Sequence, residues 1–179
     1  MKQFIATLAA VAAFAVAGSA AAASPVAGYY VQGSGGQNYQ SDRDSGTALS
    51  ASFGKDFGKV RVEGEYLATR GTNSATLGDT AANLVNANVF YQPITFANIT
   101  PFIGAGVGYG ELFRSGVVGD QNGVVFNGTV GVSYPISGKL SAVLQYREFL
   151  ANSIQFRKAP GNTDNYKASV ATMGLRYTF

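Results

Sequence analysis

"VRVEGEY" occupies residues 60–66. Val60, Val62, Gly64 and Tyr66 alternate there with Arg61, Glu63 and Glu65. Successive side chains of a strand point to opposite faces, so one side of this stretch is apolar and the other ionic. A helix would spread the three charges around its circumference, and its interior disfavours glycine. The stretch predicts a two-faced strand.

The same alternation recurs along the chain. Residues 28–33 begin it with Tyr29 and Val31. Leu49, Ala51 and Phe53 oppose Ala48, Ser50 and Ser52. Val85, Ala87, Val89 and Tyr91 oppose Asn86, Asn88 and Phe90. In "PFIGAGVGYG" (101–110), Ile103, Ala105, Val107 and Tyr109 oppose four glycines. Phe126, Val130, Val132 and Tyr134 oppose Asn127, Thr129, Gly131 and Ser133, and Leu140, Ala142 and Leu144 oppose Ser141, Val143 and Gln145. The tail sets Met173, Leu175, Tyr177 and Phe179 against Gly174, Arg176 and Thr178. These are about eight strands of roughly ten residues, the length that crosses a bilayer at a tilt.

The connections alternate as well. "GKDFGK" (54–59) and "PISGK" (135–139) are tight, with Gly or Pro as turn formers, and "QPITFAN" (92–98) is slightly longer. Between them fall "SGGQNYQSDRDSG", "RGTNSATLGDT", "RSGVVGDQNG" and "NSIQFRKAPGNTDN", which read as longer polar loops. Short turns at one end and long loops at the other are the layout of an outer-membrane barrel. The fold class is all-β: an eight-stranded antiparallel up-and-down transmembrane barrel.

A soluble sandwich or lipocalin-like barrel also alternates, but with its apolar face inward. A water-facing sheet would carry more Lys and Glu than this polar face of mainly Gly, Ser, Asn and Thr. Charged residues make up 13% of the sequence, against roughly 25% in soluble domains. Aromatics fall near the predicted strand ends: Phe53, Tyr91, Tyr134, Tyr177 and Phe179 on the turn side, Tyr66, Tyr109 and Tyr146 toward the loops. Two such girdles suit the two interfaces of a bilayer.

Residues 1–23 read as a signal peptide: Lys2, an apolar run from Phe4 to Ala17, then Ala21 and Ala23 as the small residues before the cut. The apolar run is shorter than the ~20 residues of a spanning helix. Residues 24–179 form the barrel domain. The protein is expected to be exported to the outer membrane of a Gram-negative bacterium.

Thr172, Gly174, Tyr177 and Phe179 resemble the polar-x-Gly-x-x-aromatic-x-aromatic assembly signal of bacterial outer-membrane barrels. The resemblance implies recognition by the barrel-assembly machinery. "GYYVQGSGG" (28–36) and "TPFIGAGVGYG" (100–110) are similar to the opening and fifth strands of a small eight-stranded outer-membrane family. That family includes the opacity proteins, neisserial surface protein A and OmpX. The resemblance is one of architecture and implies no ligand, since the loops share no motif with it.

Five charges fall on the inner face: Arg61, Glu63, Glu65, Arg147 and Arg176. Unpaired buried charge is expensive, so these are expected to pair. An eight-stranded interior is nearly filled by side chains, which favours a plug of ion pairs over a gated ion path. Glu63 and Glu65 share a face, but Arg61 beside them argues against a catalytic carboxylate pair. The chain has no histidine and no cysteine, which removes the commonest general base and the thiolate nucleophile. No enzyme activity, metal or cofactor is expected. "GAGVGYG" lies along a strand with no helix following, so it is not a phosphate-cradling loop. Its glycines relieve crowding on the inner face.

The net charge of +3 leaves no footprint for nucleic acid. Arg70, Arg114, Arg157 and Lys158 fall at the predicted outer ends, where they would meet lipopolysaccharide phosphates. Asp42, Asp44, Asp79, Asp120 and Asp164 share that region. Ile154 and Phe156 lie in the fourth loop. That loop and the first are where a host-surface ligand would be bound. The expected function is a surface antigen or adhesin acting through loops; the alternative is a narrow channel through a charged lumen.

Overall fold

The computed structural model describes residues 27–40, 43–71, 80–114, 121–150 and 167–179. They form β1 (Gly28–Gln40), β2 (Arg43–Asp56), β3 (Val60–Gly71), β4 (Thr80–Tyr91), β5 (Thr100–Arg114), β6 (Gln121–Pro135), β7 (Leu140–Leu150) and β8 (Lys167–Thr178). Each strand pairs antiparallel with the next, and β8 pairs with β1 to close the barrel. Closure gives every strand a partner on both sides. That requirement is strict in lipid, where no water is available to satisfy an open edge.

The faces are those predicted. Val60, Val62 and Tyr66 are exposed on the outer wall, whereas Arg61, Glu63 and Glu65 are buried inside. The outer wall is otherwise apolar, with Leu49, Val85, Ile103, Val130 and Met173 among its exposed residues. Of the predicted girdles, Phe53, Tyr91, Tyr177 and Phe179 are exposed at the turn end, and Tyr66 and Tyr109 toward the loops. Tyr134 and Tyr146 are half-buried.

The strands run from 11 to 15 residues, longer than expected. The largest correction is the first predicted loop. Most of "SGGQNYQSDRDSG" is strand, since β1 reaches Gln40 and β2 begins at Arg43. Its ladder carries an irregularity between Asn38 and Gln40. The backbone ladder continues beyond the region where alternation reports a bilayer, and polar side chains there conceal it. Arg70, Gly71, Thr80, Arg114 and residues 121–123 are likewise strand rather than loop. The remainder of those three loops, and residues 1–26 with the predicted signal segment, lie outside the described residues.

The opposite end is tight. Gly58 takes φ +93°, and its amide donates to Asp56 Oδ1 at 2.7 Å. Phe96 and Ile99 exchange two backbone hydrogen bonds of 2.9 Å around Ala97 and Asn98. Both central residues have positive φ, which matches the twist of a two-residue hairpin. The predicted connection at 92–98 therefore ends in its own small hairpin.

Candidate functional site

The strand alternation aims six charged side chains into the lumen and buries them: Asp56, Glu63, Glu65, Arg61, Arg147 and Arg176. Among the described residues with assigned burial, the three negative and three positive groups balance. Sequence reasoning placed five of them and missed Asp56, which had been read as part of a turn. Its even-numbered phase with Gly54 and Ser52 was the available signal.

At mid-height, Glu65 on β3 forms an ion pair with Arg147 on β7. Arg147 Nε also donates to Thr129 Oγ1 at 3.1 Å, and Thr129 Oγ1 donates to Asn127 Oδ1 at 3.4 Å. Asn127 Nδ2 donates to Asn88 Oδ1 at 3.1 Å, and Asn88 Nδ2 returns to Glu65 Oε2 at 3.3 Å. The chain of bonds closes on itself, running along β4 and β6 and returning across the lumen from Arg147 to Glu65. The network is not complete, because Arg147 Nη2 is buried without a hydrogen-bond partner.

Toward the turns, the expected ion pairs give way to aromatic contacts. Arg61 is 0% exposed, and its guanidinium lies 4.4 Å from the Phe90 ring centre and 4.7 Å from that of Phe102. Those two rings meet edge to face at 5.5 Å. Arg61 Nη1 donates to Gln92 Oε1 at 3.3 Å, and Gln92 Nε2 donates to Asp56 Oδ2 at 2.9 Å. The Tyr30 hydroxyl donates to Glu63 Oε2 at 2.8 Å. Arg176 donates from Nε to Gln32 Oε1 at 3.2 Å and lies 5.0 Å from the Tyr30 ring centre. Thus one pair is direct, while the other charges are bridged by amides and rings.

Toward the loops, apolar side chains enter the lumen beside the buried Asn38. Ala48, Leu67, Phe149 and Val170 form a buried cluster, with Leu84, Val125 and Ala168 packed against it. Sequence reasoning did not foresee this layer. Its signal was the inner phase of β3 itself, where Arg61, Glu63 and Glu65 are followed by Leu67.

The remaining predicted sites divide. Arg70 is exposed near the loop end of β3 and pairs with Ala81, while Arg114 closes β5 opposite Thr80. One strand therefore separates their backbones at the same end of the barrel. Arg157 and Lys158, with Ile154 and Phe156, lie outside the described residues. Thr172 is buried in the lumen. Tyr177 and Phe179 are exposed on the outer wall, with ring centres 5.6 Å apart. Among the described residues no cluster of His, Cys, Asp and Glu could hold a metal ion.

Comparison with solved structures finds small outer-membrane barrels. Neisserial surface protein A (NspA) aligns with a TM-score of 0.70 at 17% identity, covering 84% of this chain and 97% of that one. Ail, the attachment invasion locus protein of Yersinia pestis, aligns at 0.51 and 15% identity, covering 86% and 100%. OprG from Pseudomonas aeruginosa aligns at 0.51 and 14%, covering 86% and 96%. Comparison with curated protein sequences finds no match. The pattern that defines the outer membrane protein beta-barrel domain matches residues 6–179. The chain belongs to that family of outer-membrane β-barrels.

Proposed function

We propose that this barrel is a closed scaffold whose loops bind partners at the surface of a Gram-negative cell. One observation carries the reading: Ala48, Leu67, Phe149 and Val170 pack into a buried apolar cluster on the loop side of the charged network. An ion following the lumen would have to shed its water to pass that cluster, which is costly. The described charges below it contact one another, amides and rings. A scaffold role follows from a filled interior, and function then falls to the loops.

The partners in this reading are anionic. Arg70, Arg114, Arg157 and Lys158 supply cations for lipopolysaccharide phosphates. Ail, one of the similar folds, is described as an attachment invasion locus protein and has been solved with the heparin analogue sucrose octasulfate. A shared fold at 14% identity does not transfer that binding, but it supports testing attachment and polyanions first. The fold also occurs in the outer-membrane enzyme PagL. The absence of histidine from this sequence supports a non-enzymatic role. Residues 1–23 serve export, and the outer-membrane assembly machinery reads the final strand.

The test joins two measurements. Purified protein in planar bilayers is expected to show no steady conductance. Cells bearing the barrel with residues 151–166 replaced by a short Gly-Ser link are expected to lose attachment to host surfaces. Steady conductance with unaltered attachment would replace this reading with the channel.

A further inference from the structure

Among the described residues, the two ends of the barrel differ in charge. Lys55, Lys59 and Lys139 surround the turn end. The acidic side chain beside them, Asp56, is buried and faces inward, bound by Gln92 and the Gly58 amide. The turn rim therefore exposes cations and no acidic side chain. At the other end the exposed acidic side chains Glu111 and Glu148 accompany Arg70.

The turn rim is also unusually apolar. Phe57, Ile94, Phe96 and Ile136 lie in the turns themselves, and all are at least half exposed, Phe96 by 78%. Turns in water are ordinarily polar. One cation is built into this apolar surface. The Lys55 ammonium lies 4.7 Å from the Tyr29 ring centre and 5.2 Å from that of Phe57. It donates to the Tyr29 hydroxyl at 3.5 Å. Tyr29 in turn stacks on Phe53, with centres 5.8 Å apart and planes 12° apart. The rings fix the ammonium at the edge of the lipid-facing wall, where headgroups meet acyl chains.

We propose that the turn rim is a collar for anionic phospholipid headgroups of the periplasmic leaflet. Lys55, Lys59 and Lys139 engage phosphodiester oxygens, and the exposed aromatic and aliphatic turn residues sit at the acyl boundary. The ligand class follows from charge complementarity. A zwitterionic headgroup brings its own cation to the same place, whereas a phosphatidylglycerol-type headgroup brings net negative charge. The inference rests on membrane insertion and is independent of what the loops bind.

The experiment uses the whole barrel refolded in phosphatidylcholine bilayers with a trace of spin-labelled phosphatidylglycerol or spin-labelled phosphatidylcholine. The motionally restricted fraction of the spectrum reports relative association with the protein. Wild type is expected to favour phosphatidylglycerol by roughly threefold, given the attraction of a lysine near an anionic surface. K55Q/K59Q/K139Q, with its fold checked by heat-modifiable migration, is expected to bring that ratio close to one. Independently of any substitution, about 1 M salt should do the same to wild type, because screening is then nearly complete. A ratio near one in wild type at low salt would overturn the proposal. So would an unchanged ratio in the triple variant, which would assign the preference to cations at the loop end.

Discussion

Glu65 and Arg147 meet across the full width of the barrel, from β3 on one wall to β7 on the wall opposite. They are 82 residues apart in sequence, yet each is almost wholly buried. The bridge ties two walls that share no backbone hydrogen bond. Removing one partner strands the other charge, so Glu65→Gln or Arg147→Met is expected to cost about 3 kcal/mol or more. The double variant should cost less than the sum of the singles, because neither charge is then left alone. Urea unfolding in lipid vesicles, read from the heat-modifiable migration that separates folded from unfolded protein, gives all three values.

Gly106 allows the network to pass β5. It pairs with Asn88 on β4 and Asn127 on β6, and those two carboxamides bond to each other over it. A Cβ at Gly106 would overlap the Asn88 carboxamide oxygen and come within 2.7 Å of Asn127 Nδ2 and 2.8 Å of the Ala87 carbonyl. Gly106→Ala is therefore expected to destabilise by about 1–3 kcal/mol through overpacking. Gly128 lies on the outer wall, and a Cβ there meets nothing within 4 Å. Gly128→Ala should fall within about 0.5 kcal/mol of wild type. The same unfolding measurement compares them, and equal effects would refute the crowding argument.

The contrast between these glycines shows what a sequence of this kind reveals. Alternation around Arg61, Glu63 and Glu65 was enough to assign the faces, because a one-residue slip would put charges into lipid. The same alternation put Arg147 and Arg176 inside. Partner choice was not legible. Arg61 turned to Phe90 and Phe102 rather than to Glu63, and both rings occupy inner positions that polar neighbours had made look hydrophilic. Strand ends were hidden for a related reason: Gln37 and Asn38 continue the ladder in residues that composition assigns to a loop. The loop-end apolar layer needed knowledge of which strands face each other, because Leu67, Phe149 and Val170 come from three of them.

Arg61 offers a test of the ring contacts. Lysine would retain the charge while losing the planar guanidinium that spans Phe90, Phe102 and the Gln92 carboxamide. Arg and Lys are not equivalent at stacked, fully enclosed positions. Arg61→Lys is expected to lower stability by about 1–2 kcal/mol, the range of desolvated cation–ring contacts. If charge alone mattered, the lysine variant would unfold at the wild-type denaturant midpoint.

Phe179 separates structure from biogenesis. Its amide donates to the Tyr29 carbonyl at 2.9 Å, and its ring meets that of Tyr177 edge to face on the outer wall. Phe179→Ser keeps the backbone bond and removes one exposed ring, a loss of about 1 kcal/mol for an aromatic pair. The refolded variant should thus unfold close to wild type. If the final strand also serves as the address read during assembly, the amount of barrel in outer membranes of expressing cells should fall severalfold. The two measurements, unfolding of refolded protein and heat-modifiable barrel recovered from membranes, then diverge. A matching small change in both would confine Phe179 to its place in the wall.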